Sequence, residues 1–103
     1  MSQAPNHRLF LGLISGTSAD GIDAALVRFE GDDAHAPPML AFGRTYPWDP
    51  ALRARLVELG QHAAALSLDE VGELDVSIGR AFAQAANAAL EAAGIAHGTI
   101  AAI

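Results

Sequence analysis

"GLISGTSADGIDAALV", Gly12 to Val27, decides the fold. An almost wholly apolar run, Leu9 to Ile14, leads into it and reads as a buried strand. Ser15 to Gly21 is turn chemistry, rich in Ser, Gly, Thr and Asp. Ile22 to Phe29 is strand-like again, with Leu26, Val27 and Phe29. Two strands joined by so short a loop predict an antiparallel hairpin. The loop carries hydroxyls and an acid but no cation, which limits the ligands it can take.

Outward from the hairpin, Glu30 to Pro38 is acidic, then Pro-containing, and reads as a loop. Met39 to Tyr46 places Leu40, Phe42 and Tyr46 on one parity, which suits a third strand with one buried face. Pro50 opens a helical pattern with Leu52, Leu56 and Leu59 in step and Gly60 near its end. Ser67 and Glu70 have the spacing of a capping box. Val71, Leu74, Ile78, Phe82, Ala85 or Ala86, Ala89 or Leu90, and Ala93 then form an apolar stripe, and Gly94 is a stop. Gly72 and Gly79 each weaken this helix by about 1 kcal/mol, so a kink or break is expected near its start. Ile100 to Ile103 looks like a strand just begun. The order β-β-β-α-α-β predicts a mixed sheet with helix cover, and a chain stopping on an exposed apolar strand reads as truncated.

Composition narrows the functions. The 103 residues make one domain or part of one, and the net charge is −6. That balance argues against nucleic acid or an anionic membrane as partner, since both need clustered cations. All six basic residues are Arg, and they are scattered. With no Lys, the chain cannot hold a Walker-type phosphate loop or form a Schiff base. With no Cys, it has no thiolate nucleophile, Cys-bound zinc or disulfide. Met1 to Arg8 lacks the pattern of a signal peptide, and no apolar run approaches the roughly 18 residues of a membrane helix. The default location is the cytoplasm.

The loop has two readings on spacing alone. One is a plain hairpin turn rich in turn formers. The other is a phosphate site, with Gly16 and Gly21 permitting positive φ and close backbone approach, and successive N–H groups forming an anion-binding concavity. Thr17 and Ser18 would add hydroxyl donors. Asp20 could face a phosphate only through Mg²⁺, which binds carboxylate, water and phosphate oxygens together.

The same stretch closely resembles the N-terminal motif of the anhydro-N-acetylmuramic acid kinases, in the sugar kinase, actin and Hsp70 ATPase superfamily. Their pattern is a strand, S-G-T-S, any residue, D-G, an apolar residue and D, then a second strand. Ser15 to Asp23 matches every fixed position. "LDVSIGRAFAQAANAAL", Leu74 to Leu90, resembles their first long helix, L-[DN]-x-x-[IL]-G-x-x-[FL]-A-x-A. The resemblance runs from Leu9 onward and covers only the opening part of a family member.

The resemblance implies an α/β, ribonuclease H-like first domain, incomplete here, over residues 9–103, with residues 1–8 a disordered N-terminus. It implies an enzyme that uses ATP and water on 1,6-anhydro-N-acetylmuramic acid, opening the anhydro ring and phosphorylating O6. Gly16, Thr17, Ser18, Ala19, Asp20, Gly21, Ile22 and Asp23 would bind the nucleotide phosphates, with Asp20 the Mg²⁺ contact through water. It also gives Gly79 the role of a close helix–sheet contact. The general base would lie past residue 103, so the chain carries no complete active site and little activity or stability is expected of it alone. A homo-oligomer stays open. So do another sugar or acetate kinase of the superfamily, a non-catalytic binding module and an inactive truncated product.

Asp23 either supports the site or sits on the exposed face of its strand. His7, His35, His62 and His97 show no ligand spacing and read as solvated. His97-Gly98-Thr99 echoes the family's later S-H-G-Q-T motif, but it precedes a strand instead of following one and is given no role. Glu70, Glu73 and Asp75 suit a helix start by their charge. Trp48 reads as a packing residue.

Overall fold

The computed structural model describes residues 7–16, 20–30, 37–61 and 66–103. Strand β1 spans His7–Ile14, β2 Ile22–Glu30 and β3 Met39–Tyr46. Helix α1 spans Pro50–Gln61 and α2 Leu68–Ala93. A short 3-10 turn, His97–Thr99, leads into β4, Ile100–Ala102. The expected element order holds, and β1 starts two residues ahead of the expected Leu9. Residues 1–6 lie outside the described residues.

The four strands form one mixed sheet in the order β3-β2-β1-β4. β1 and β2 pair antiparallel from His7↔Glu30 to Ile14↔Asp23, which is the predicted hairpin. β3 continues the meander against β2. β4 returns through the helices to lie parallel to β1, with Leu9 opposite Ile100. This mixed α/β plan is the one that the resemblance to a ribonuclease H-like first domain implies.

Alternation along the strands selects the inner face. Leu9 and Leu11 of β1 and Ala24 and Leu26 of β2 pack on Ala86, Ala89 and Leu90 of α2. Burying a Leu of this kind stabilises by about 1.5–3 kcal/mol. The small residues of α2 let its backbone lie close to the sheet. A second cluster joins Ile22, Trp48 and Ala85, with Leu52 and Leu56 of α1 and Phe82 of α2 against it. The Trp48 and Phe82 rings meet edge to face, centroids 5.8 Å apart.

The single buried face expected of β3 holds for Phe42 and Tyr46, which border the main cluster, but not for Leu40, which is 69% exposed. The cause is a bulge. Leu26 pairs with Phe42 while Val27 pairs with Leu40, so Ala41 is the extra residue. One extra residue moves every side chain beyond it to the other face. Leu40 joins Ile14 and Phe29 among the exposed apolar side chains. Phe29 stacks edge to face on Phe10.

Helix α2 is closed at both ends. Ser67 Oγ accepts from the Glu70 backbone N–H, and a Glu70 side-chain oxygen accepts from the Ser67 N–H, which is the predicted capping box. At the far end Gly94 adopts φ 70°, a left-handed cap that disfavours any side chain. The helix runs unbroken through Gly72 and Gly79, so the break allowed for there does not occur. A Cβ at Gly79 would meet nothing within 4 Å, so it makes no close sheet contact. Val71, expected on the buried stripe, is 47% exposed, because burial along α2 begins only at Leu74.

Candidate functional site

The hairpin loop sits where β1 ends and β2 begins. Its base is closed by Ser15, whose hydroxyl donates to the Gly21 carbonyl at 2.9 Å. The same oxygen accepts from Trp48 Nε1 at 3.1 Å. Trp48 is a packing residue, as expected, and only 6% exposed. It also ties the loop to the β3–α1 connection, a role its sequence context does not advertise.

Gly21 explains why that connection lies so near. A Cβ there would come 2.6 Å from Thr45 Cγ2 and 3.0 Å from the Tyr46 carbonyl oxygen. Only glycine lets the backbone of β3 approach this closely. The expected positive φ is not what Gly16 and Gly21 supply: among the described glycines only Gly94 has it. Gly16 is exposed, and a Cβ there would meet nothing within 4 Å. Thr17, Ser18 and Ala19 lie outside the described residues.

The remaining motif residues separate by face. Ile22 is 2% exposed and belongs to the core, so its side chain is closed to a ligand. Asp23 is on the opposite, exposed face, where its carboxylate accepts from Thr45 Oγ1 at 2.5 Å. Asp20 lies at the loop's end with its side chain 77% exposed, and its Oδ1 is 3.4 Å from a terminal guanidinium nitrogen of Arg53.

Arg53 is the residue that sequence reasoning missed. It lies in the first turn of α1, where its backbone N–H donates to the Asp49 carbonyl at 2.8 Å. Asp49 also accepts from the Leu52 N–H at 3.1 Å through its side chain, capping the helix ahead of Pro50. Because β3 is antiparallel to β2, the end of β3 lies beside the start of β2, with Tyr46 opposite Ile22. A helix starting just after β3 therefore begins beside the loop. That topological signal was present in the sequence.

The geometry fits a phosphate ligand with a hydrated cation. No group of three or more His, Cys, Asp or Glu among the described residues could hold a metal ion. Mg²⁺ bound together with phosphates needs no such cage: one or two carboxylates and water suffice. Asp20 offers an accessible carboxylate, and Gly16 leaves room beside the backbone. No described helix is long and apolar enough to cross a membrane.

Comparison with known proteins agrees on one family. The family model for anhydro-N-acetylmuramic acid kinase matches residues 8–103. A protein of that name from Xanthomonas campestris pv. campestris is 52% identical over 97% of this chain, which covers 27% of that protein. Another from Xanthomonas axonopodis pv. citri is 53% identical over 92% of this chain and 25% of its own length. One from Xylella fastidiosa is 50% identical over the same shares. The chain thus spans about a quarter of the length of these relatives.

Proposed function

This chain belongs to the anhydro-N-acetylmuramic acid kinase family, and on that premise we propose that it forms the nucleotide phosphate-binding part of an ATP-dependent sugar kinase. The substrate is 1,6-anhydro-N-acetylmuramic acid. The reaction opens the anhydro ring with water at the anomeric carbon and transfers the γ-phosphoryl group to O6. The products are N-acetylmuramic acid 6-phosphate and ADP. Such transfer needs little covalent help from the protein and depends on positioning and charge. The residues that select the sugar and activate the water belong to the part of the family's length that this chain does not span.

Within the chain, the backbone N–H groups of Gly16 to Gly21 and the hydroxyls of Thr17 and Ser18 hold the phosphates. Asp20 orients water on Mg²⁺, and the bound cation neutralises charge on the phosphate oxygens. Ile22 contributes its backbone alone, because its side chain fills the core. Asp23 lies with Thr45 on the outer face and acts as a bystander or through water. The observation that carries this reading is the hairpin loop itself: pinned at its base by Ser15 and Gly21, with Gly16 open and Asp20 in solvent. Use of ATP and a free sugar fits a cytoplasmic enzyme, and a net charge of −6 fits neither nucleic acid nor an anionic membrane as partner.

The test uses the full-length protein that carries this segment. ADP release should depend on added anhydro-sugar, and Asp20→Ala should raise the KM for Mg-ATP about tenfold or more. Sugar-dependent turnover that Asp20→Ala leaves unchanged would remove the role given to Asp20. ADP release driven by a different sugar, or by acetate, would favour another kinase of the superfamily.

A further inference from the structure

The loop lacks a cation in sequence, and the fold brings one to it. Two exposed carboxylates, Asp20 and Asp23, stand at this end of the sheet in a chain of net charge −6. A nucleotide polyphosphate approaching them meets like charge unless a cation intervenes. Arg53 is the guanidinium that reaches Asp20. Its place is set independently of that contact: Asp49 caps α1, Gly21 packs on the end of β3, and Trp48 binds Ser15.

We propose that Arg53 is a phosphate-binding residue of this site. It takes the part that a Lys plays in Walker-type loops. In the absence of nucleotide it faces Asp20. When the polyphosphate of ATP binds, Arg53 donates to its phosphate oxygens, and its other N–H groups keep the Asp20 carboxylate oriented. Guanidinium geometry suits this double duty, with five donors in a planar fork. The Arg53–Asp20 pair is solvent-facing, with side chains 45% and 77% exposed. Such pairs add little to stability, so a purely structural role is a weak account of it. Both side chains keep solvent-exposed surface. The inference rests on the reading of the loop as a nucleotide phosphate site.

Arg55 supplies an internal control. It lies on the same helix and pairs with Glu70 at 3.0 Å with similar exposure, but it points to α2 and away from the loop. Calorimetric titration of the full-length protein with Mg-free ATP and with Mg-ATP separates the cases. Arg53→Ala should weaken Mg-free ATP about tenfold, as loss of a charge-assisted hydrogen bond does. Arg53→Lys should recover part of the loss, and Arg55→Ala should bind like the parent. In turnover, Arg53→Ala should raise the KM for ATP with kcat little changed. If the parent binds ATP and Arg53→Ala binds it equally well, or if Arg55→Ala loses as much, this inference falls and the nucleotide reading stands. A parent protein that binds no ATP would overturn both.

Discussion

Helix α2 and the hairpin corner are held in opposite ways. α2 carries its own instructions: a capping box, a long apolar stripe and a left-handed glycine stop lie in consecutive sequence. The corner has none of these. It is assembled from β1, β2, β3 and α1 by single contacts at Ser15, Gly21, Trp48 and Arg53. The locally encoded element anchors the core, and the assembled one is where we propose that the nucleotide binds. Stability should therefore respond most to α2, and nucleotide affinity most to the corner.

The largest expected stability effect is at the helix–sheet contact. Leu90 is 2% exposed against Leu9, Leu11 and Leu26. Leu90→Ala should cost about 2–5 kcal/mol in equilibrium denaturation. Nucleotide affinity of the remaining folded molecules should be unchanged, and a parallel loss of affinity would blur the division between the two regions. Next is Gly21→Ala. Its Cβ would meet the Tyr46 carbonyl, which is backbone and cannot swing aside. The expected cost is about 1–3 kcal/mol, with a disproportionate fall in ATP affinity because the loop base shifts. Wild-type affinity in that variant would show that the loop tolerates a displaced β3.

The smallest effect is at the start of α2. Ser67→Ala removes the cap and should cost about 1 kcal/mol without touching nucleotide binding. The cap is also pH-sensitive. Hydrogen bonds from the Ser67 backbone and side chain hold the Glu70 carboxyl below its ordinary value near 4.5; desolvation opposes them, and Arg55 adds to the lowering. A depressed carboxylate stabilises above its unfolded value, and the contribution disappears as pH falls through the folded one. Denaturation midpoints measured downward from pH 6 should show an acid-limb loss in the parent that is reduced in Ser67→Ala. Identical pH dependence in the two would show that the Ser67 hydroxyl does not contribute to holding Glu70, since Ser67→Ala keeps the backbone N–H bond to its carboxylate.

Much of the corner was legible before the fold was known. The strands, the hairpin and the capping box follow from local pattern, and the motif Ser15 to Asp23 lies where β1 turns into β2. The errors have physical causes. Leu40 leaves the core because a bulge at Ala41 resets parity, and a bulge leaves no mark in residue type. Gly72 and Gly79 stay helical because the capping box at Ser67 and an apolar stripe from Leu74 through half-buried Ile78 and Phe82 to Leu90 outweigh a propensity loss of about 1 kcal/mol per glycine. Ile22 begins its strand as expected, but the resemblance also set it among the phosphate-binding residues, and the strand's alternation sends its side chain inward.

What the sequence determined by itself was periodicity and punctuation: which segments are strands, where α2 begins and ends, and that the first hairpin turns on a polar, glycine-flanked loop. These depend on neighbours a few residues apart, so they are readable along the chain. Only the tertiary structure decided which charge stands beside that loop. Arg53 and Asp20 are 33 positions apart, and nothing local distinguishes Arg53 from Arg55. The antiparallel return of β3 places the first turn of α1 beside the loop, and helical rotation then sends Arg53 to Asp20 and Arg55 to Glu70.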